Sequence, residues 1–221
     1  KKALKTFGGA TQNFVYADVK GNIGWYAAGR IPLRKTGDGS QPYDGATNDG
    51  EWIGNIPFDE FPSLYNPPSG LIVTANQRIV GTSYKYPQIS RVVAPPWRAR
   101  RIYDELNSKT KITIDDFRDA QYDAYDIQLA NLAKEIVKSE AASPETIAAL
   151  KNWDGKMTAD SAAALLANEI IGCVASRMNA DLTGVPTSVI RDRIVDWAVR
   201  EKSPRWLPKE FKTYSDLLRS C

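Results

Sequence analysis

Two hydrophobic periods divide the 221-residue chain near residue 92. Before it, apolar positions follow a period of two. Phe14 and Tyr16 alternate with Val15 and Ala17, Lys20-Gly21-Asn22 supplies a turn, and Ile23-Gly24-Trp25-Tyr26 leads back, which predicts a β-hairpin. Leu71-Ile72-Val73-Thr74 is a short apolar run after Pro67-Pro68, which ends any preceding helix, and Gly70, which opens an extended segment. This pattern predicts a strand with Asn76 at its exit. Taken alone, that asparagine reads as a loop cap. Residues 35 to 51 interleave Gly37, Gly39, Gly45 and Gly50 with Asp38, Asp44 and Asp49, a long turn-rich loop. Its aspartates lack the alternating ligand spacing of a calcium-binding hand.

After residue 92 the period lengthens to that of a helix. Ala94-Pro95-Pro96-Trp97 leads into a helix through Leu106. Thr113, with Asp116 three residues on, reads as the cap of a second helix. That second helix is predicted to be long, because Tyr125, Leu129, Leu132 and Ile136 extend a single apolar stripe. Ser143-Pro144 starts a third. Asp160 to about Cys173 forms a fourth, with Ala162, Leu165, Leu166 and Ile170 inward, Val189 to Val199 a fifth, and Tyr214 to Leu218 a sixth.

Strands followed by helices predict an α+β fold. The expected division is a strand-rich part, residues 1–92, and a helical lobe, residues 93–221. Composition narrows the chemistry. Lys and Arg number 29 against 26 Asp and Glu, a formal charge of +3, and no basic run interleaves with aromatics, which argues against nucleic-acid binding. The densest basic cluster, Arg98 to Arg101, reads as a solvated helix face. The chain has no histidine, which removes Ser-His-Asp triads, Cys-His dyads and histidine metal sites. Cys173 and Cys221 lie far apart without metal spacing, and neither a disulfide framework nor a zinc site follows from them. No run of 18 or more apolar residues occurs, so no membrane span is expected.

An ordered series of short motifs goes further. It comprises Asn13-Phe-Val-Tyr-Ala-Asp-Val-Lys-Gly-Asn-Ile-Gly-Trp25, Gly29-Arg-Ile-Pro32, Trp52-Ile-Gly-Asn-Ile-Pro-Phe58, Asn66 to Gln77, Tyr86-Pro87, Arg101-Ile102, and Trp153-Asp-Gly155 with Asp160-Ser161. In that order the series resembles the β chain of the penicillin acylase family, most closely from residue 13 to 125. The resemblance implies an N-terminal-nucleophile hydrolase with a four-layer αββα core. In such enzymes a serine exposed by self-cleavage attacks an amide carbonyl, with its own α-amine as base, and no cofactor is required. Residue 1 is Lys1 rather than that serine, and the hairpin at residue 13 lies far downstream of the serine in the family. The chain is therefore expected to be an internal piece of a β chain, inactive alone, whose partners are an α chain, the rest of the β chain and a small N-acyl amide.

Carried over residue by residue, the family's oxyanion-binding asparagine matches Asn76. Its arginine before isoleucine matches Arg101, with Arg100 as the alternative one residue away. The position two before Phe14, which lines the acyl pocket in the family, is Gln12, implying a more polar acyl site. The family also allows a structural calcium ion, but Ser90 stands where an acidic ligand is expected. No metal ligand is assigned. A periplasmic or extracellular location is what the resemblance suggests.

Two other readings stand beside this one. Trp25, Tyr26, Tyr43 and Trp52 in turn-rich segments fit a non-catalytic carbohydrate- or ligand-binding module, which requires exposed, coplanar rings, whereas the acylase reading expects Trp52 and Phe58 to pack inside. Asp154 and Asp160 could serve as a hydrolytic carboxylate pair, although Asp154-Gly155 reads more simply as a turn.

Overall fold

A computed structural model describes residues 1–90, 93–180 and 185–221. It divides into two compact units, Lys1–Ala99 and Arg100–Cys221.

The predicted hairpin forms in the first unit. Strand β1 (Gln12–Ala17) pairs antiparallel with β2 (Ile23–Ala28), Phe14 facing Tyr26. The turn is fixed by one carboxylate. Asp18 accepts from the backbone N–H groups of Lys20 and Asn22 and from the Asn22 side chain, while Gly21 takes φ 80°, a region that a side chain disfavours. Those donors, the Asn22 side chain foremost, hold the Asp18 carboxyl at about 2. Strands β3 (Pro32–Arg34) and β4 (Trp52–Asn55) form a separate two-stranded sheet around the turn-rich loop. Strand β5 (Ser63–Tyr65) adds to the free edge of β2, giving the order β1-β2-β5. A central strand is covered on both edges, and β2 accordingly supplies Trp25, Tyr26, Ala27 and Ala28 to the core, joined by Ile31, Ile56 and Phe61.

The run Leu71–Thr74 is not a paired strand. Val73 and Ala75 are buried while Thr74 and Asn76 are exposed, so the period of two survives. A side chain stands in for the neighbouring strand: the Gln77 carboxamide accepts from the Ala75 N–H at 2.6 Å and donates to the Val73 carbonyl at 2.7 Å.

The second unit is helical, and the unit boundary falls inside α1 (Trp97–Asn107). Helix α2 (Ile114–Tyr122) carries the capping box foreseen at Thr113 and Asp116. It does not run on through Tyr125. Asp123 turns its carboxylate to Arg101, Tyr125 forms an isolated β-bridge with Lys156, and Asp126 caps a new helix, α3 (Ile127–Ser139), by accepting from the Leu129 N–H. The apolar stripe is real, but it belongs to α3. Ser143 caps α4 (Pro144–Lys151) and Ser161 caps α5 (Ala162–Asn179), both through accepted N–H bonds.

Helix α5 is longer than predicted and turned about its axis. Ala164, Ala167, Ile170, Ile171, Val174, Ala175 and Met178 face inward, while Leu165 is 62% exposed. The face is set by the longer stripe running to Met178, and the leucines of its first turns fall outside that stripe. The expected fifth helix is two, α6 (Thr187–Arg193) and α7 (Val195–Glu201), separated at Ile194, where φ is −110°. Helix α8 (Tyr214–Arg219) repeats the capping box with Thr213 and Asp216. Leu132, Ile136, Ile171, Val174, Ile190, Val195 and Leu217 are the fully buried centre. Cys173 of α5 and Cys221 are joined by a disulfide across 48 positions, a pairing that sequence separation alone could not reveal. Among the described residues no helix is long and apolar enough to cross a membrane.

Candidate functional site

Asn76 sits in the left-handed backbone region at φ 60°, which asparagine tolerates better than most residues. Two neighbours hold it there. Its carbonyl accepts from the Ala94 N–H at 2.7 Å, and Nη2 of Arg98 donates both to the Ala75 carbonyl and to Oδ1 of Asn76, each at 2.9 Å. Because a guanidinium only donates, the oxygen of the carboxamide must face Arg98. The NH2 group is thereby turned away from the arginine, with no acceptor among the described residues. Asn76 and Arg98 are both exposed, so this amide meets solvent in the chain as it stands.

Arg98 is the residue that sequence reasoning missed. The resemblance pointed to Arg101, with Arg100 as its alternative, but neither is shown bonded to Asn76. The Arg101 guanidinium instead reaches Asp123 through Nε at 2.5 Å and Nη2 at 3.2 Å, and Glu105 at 2.7 Å. It also lies 4.5 Å above the Tyr125 ring. This clamp holds the bend between α2 and α3. The Arg101 guanidinium keeps the Asp123 carboxyl below the usual carboxylate range. Arg100 pairs with Asp104 one helical turn on. Helical geometry offers a signal for Arg98: three residues before Arg101, it shares a side of α1 with that residue, one turn closer to the helix start that follows Pro95-Pro96.

Gln12 is the first residue of β1, opposite Ala28, and is exposed. By strand alternation it shares a face with Phe14, whose ring packs edge-on against Phe7 at 5.1 Å.

The aromatic residues separate into two kinds. Trp25 and Tyr26 are buried, contrary to the exposed platform that a binding module requires, and burial pushes the Tyr26 phenol up to about 12. Trp52, expected inside, is 62% exposed. The Arg34 guanidinium lies 5.9 Å from its ring and 5.7 Å from that of Tyr43, which turns both rings to a charged side chain at the surface. Phe58 does pack inward, 4.9 Å from Tyr26. Asp154 accepts from the Lys156 N–H in the turn that its sequence suggested.

The side chain of Ser90, which stands where the family resemblance implies an acidic calcium ligand, lies outside the described residues. Among the described residues no three His, Cys, Asp or Glu side chains gather to hold a metal ion. The described residues therefore do not make a calcium site by themselves.

Comparison with known proteins adds to this geometry. Residues 1–220 match the sequence profile of the penicillin amidase family. The chain is 32% identical over 166 residues to a penicillin acylase 2 proenzyme of Pseudomonas sp. strain SE83, covering 73% of the chain and 21% of that protein. It is 33% identical over 171 residues to the acyl-homoserine lactone acylase QuiP of Pseudomonas fluorescens Pf-5, covering 70% of the chain and 21% of that protein. The chain thus spans about a fifth of the length of these relatives. Its fold is shared with a thermostable penicillin G acylase from Alcaligenes faecalis, at a TM-score of 0.67 and 18% identity over 96% of this chain and 45% of that one. The mixed fold is thus that of a penicillin acylase, and the chain belongs to the penicillin amidase family.

Proposed function

We propose that these residues form part of an amidohydrolase that cleaves N-acyl amides, of the kind that includes penicillins and N-acyl homoserine lactones. The observation that carries this reading is the fixed direction of the Asn76 carboxamide. With Oδ1 held by Arg98, the NH2 group is preset to donate to an oxyanion without reorganising when charge develops.

In the proposed reaction a serine hydroxyl oxygen attacks the amide carbon, and the carbonyl π electrons move onto its oxygen. Asn76 donates to that oxygen. The serine's own α-amine takes the hydroxyl proton and delivers it to the departing amine, and water then releases the acid from the acyl-serine. The serine, the second oxyanion donor and the walls that enclose substrate are assigned to polypeptide outside these residues, in keeping with relatives of which the match covers only 21%. An α chain and the remainder of the β chain are the proposed partners, and these residues alone are expected to be inactive. Gln12 is proposed at the acyl site, where a carboxamide disfavours a purely apolar guest. The Cys173–Cys221 disulfide supports maturation in an oxidising compartment such as the periplasm or the exterior.

The test is Asn76→Ala in the complete enzyme. Turnover is expected to fall by about 10²–10³-fold, the usual loss for one oxyanion donor, with the fold retained and the thermal midpoint only modestly lowered, because alanine tolerates φ 60° less well than asparagine. Wild-type turnover in that variant removes Asn76 from the mechanism.

A further inference from the structure

A groove in the second unit, of about 350 Å³, lies outside the residues assigned above. Its wall on α3 is hollow for a simple reason: Ala130 and Ala133, one turn apart and both buried, leave space that a larger side chain would fill. Leu150 continues the apolar floor. Trp153 forms a side wall, and its indole N–H is already bonded to the Lys156 carbonyl at 2.9 Å, so the ring faces the groove as an apolar surface. The volume falls in the range of small-molecule pockets, roughly 300–1,000 Å³.

The charge at the mouth is one-sided. Lys134, Lys138 and Lys151 line the groove, against a single carboxylate, Asp154. Lys138 is 3.9 Å from Glu135, a loose contact, and Lys134 and Lys151 have no ion-pair partner among the described residues. Lysine stems extend apolar walls while their ammonium groups stay in water. An apolar floor under a cationic mouth is complementary to a molecule with an apolar body and one anionic end.

We infer that the groove between α3 and α4 binds an amphipathic carboxylate, with its acyl or aryl body on Ala130, Ala133 and Trp153 and its carboxylate at Lys134 and Lys151. This site is independent of Asn76. A free fatty acid and an acid released by amide hydrolysis share this chemistry.

The experiment is calorimetric titration of the complete protein with octanoate and with phenylacetate, octylamine serving as the opposite-charge control. Alongside it, tryptophan quenching by bromooctanoate is compared between wild type and Trp153→Phe. Saturable binding of at least one acid, no binding of the amine, an affinity about tenfold weaker in the double variant Lys134→Glu/Lys151→Glu, and quenching lost in Trp153→Phe are expected. Asn76→Ala should leave this binding unchanged, which separates the groove from the proposed active site. Preference for octanoate over phenylacetate, or the reverse, distinguishes a fatty acid from an aryl acid. Absence of saturable binding overturns the inference, as does binding indifferent to the two charge reversals or quenching that persists without Trp153. Both lysines are exposed, so the double variant is expected to fold as the wild type does.

Discussion

One nitrogen of Arg98 donates to both the backbone and the side chain of the same short segment, at Ala75 O and Asn76 Oδ1. The arginine thereby fixes the position of the turn and the orientation of the amide together. For an oxyanion donor the second effect matters more, because a carboxamide flipped by 180° presents an oxygen to the developing negative charge.

Arg98→Met in the complete enzyme is therefore expected to lower kcat by about 10–100-fold with little change in KM, since an unoriented amide weakens transition-state binding more than ground-state binding. Arg98→Lys should recover part of the loss, as an ammonium still donates but lacks the planar fork. Steady-state kinetics on the two variants decides; a rise in KM with kcat untouched would assign Arg98 to substrate binding instead.

The Arg101–Asp123 pair is expected to act on stability. Both groups are mostly screened from solvent, with side chains 26% and 14% exposed, and Asp123→Ala should destabilise the helical unit by about 2 kcal/mol in urea denaturation. The pH dependence has a definite sign. The folded-state pKa of Asp123 is depressed, chiefly by its bond to Arg101. Its stabilisation is thus complete above the unfolded value of about 3.9 and disappears as pH falls through the lower folded value. Wild type and Asp123→Ala should converge in stability under acid; a constant difference down to the lowest pH would show that the ion pair is not the cause.

Reduction of the Cys173–Cys221 bridge should loosen the end of the chain from α5. For a loop of 48 residues, loss of the cross-link is worth up to about 4 kcal/mol in the chain-entropy description. The Cys173→Ser variant should match reduced wild type in thermal midpoint, and reductant should have no further effect on it. Free-thiol labelling of the unreduced native protein checks the pairing itself.

Gly155 should not accept a side chain. Its φ is 82°, and a Cβ there would come within 2.3 Å of the Tyr125 ring. Gly155→Ala is expected to cost about 1–3 kcal/mol from backbone strain alone, with the ring clash added. A thermal midpoint equal to wild type would mean that the Trp153–Lys156 turn is free to rearrange.

Local signals were legible where a few neighbouring residues decide the outcome. The hairpin at Lys20-Gly21-Asn22, the capping box at Thr113 and the Ser143-Pro144 helix start all formed as their sequences suggest, because each depends on hydrogen bonds spanning three or four positions. Errors arose where distant partners intervene. The stripe through Tyr125 looked like one long helix, yet Arg101 and the Gly155 carbonyl draw Asp123 and Asp126 into a break. Of the residues expected inward on α5, Ile170 is buried but Leu165 and Leu166 are exposed, because the helix's neighbours choose among overlapping apolar stripes.

The candidate site divides in the same way. Sequence alone determined the family through the order of its motifs and excluded histidine chemistry within these residues, both of which are properties of a linear string. Tertiary structure decided that Arg98, not Arg101, touches that asparagine, that Trp52 lies outside, and that Cys173 meets Cys221. Such facts depend on side-chain direction and on contacts between segments far apart in the chain, where packing and charge select one partner from several that the sequence leaves equivalent.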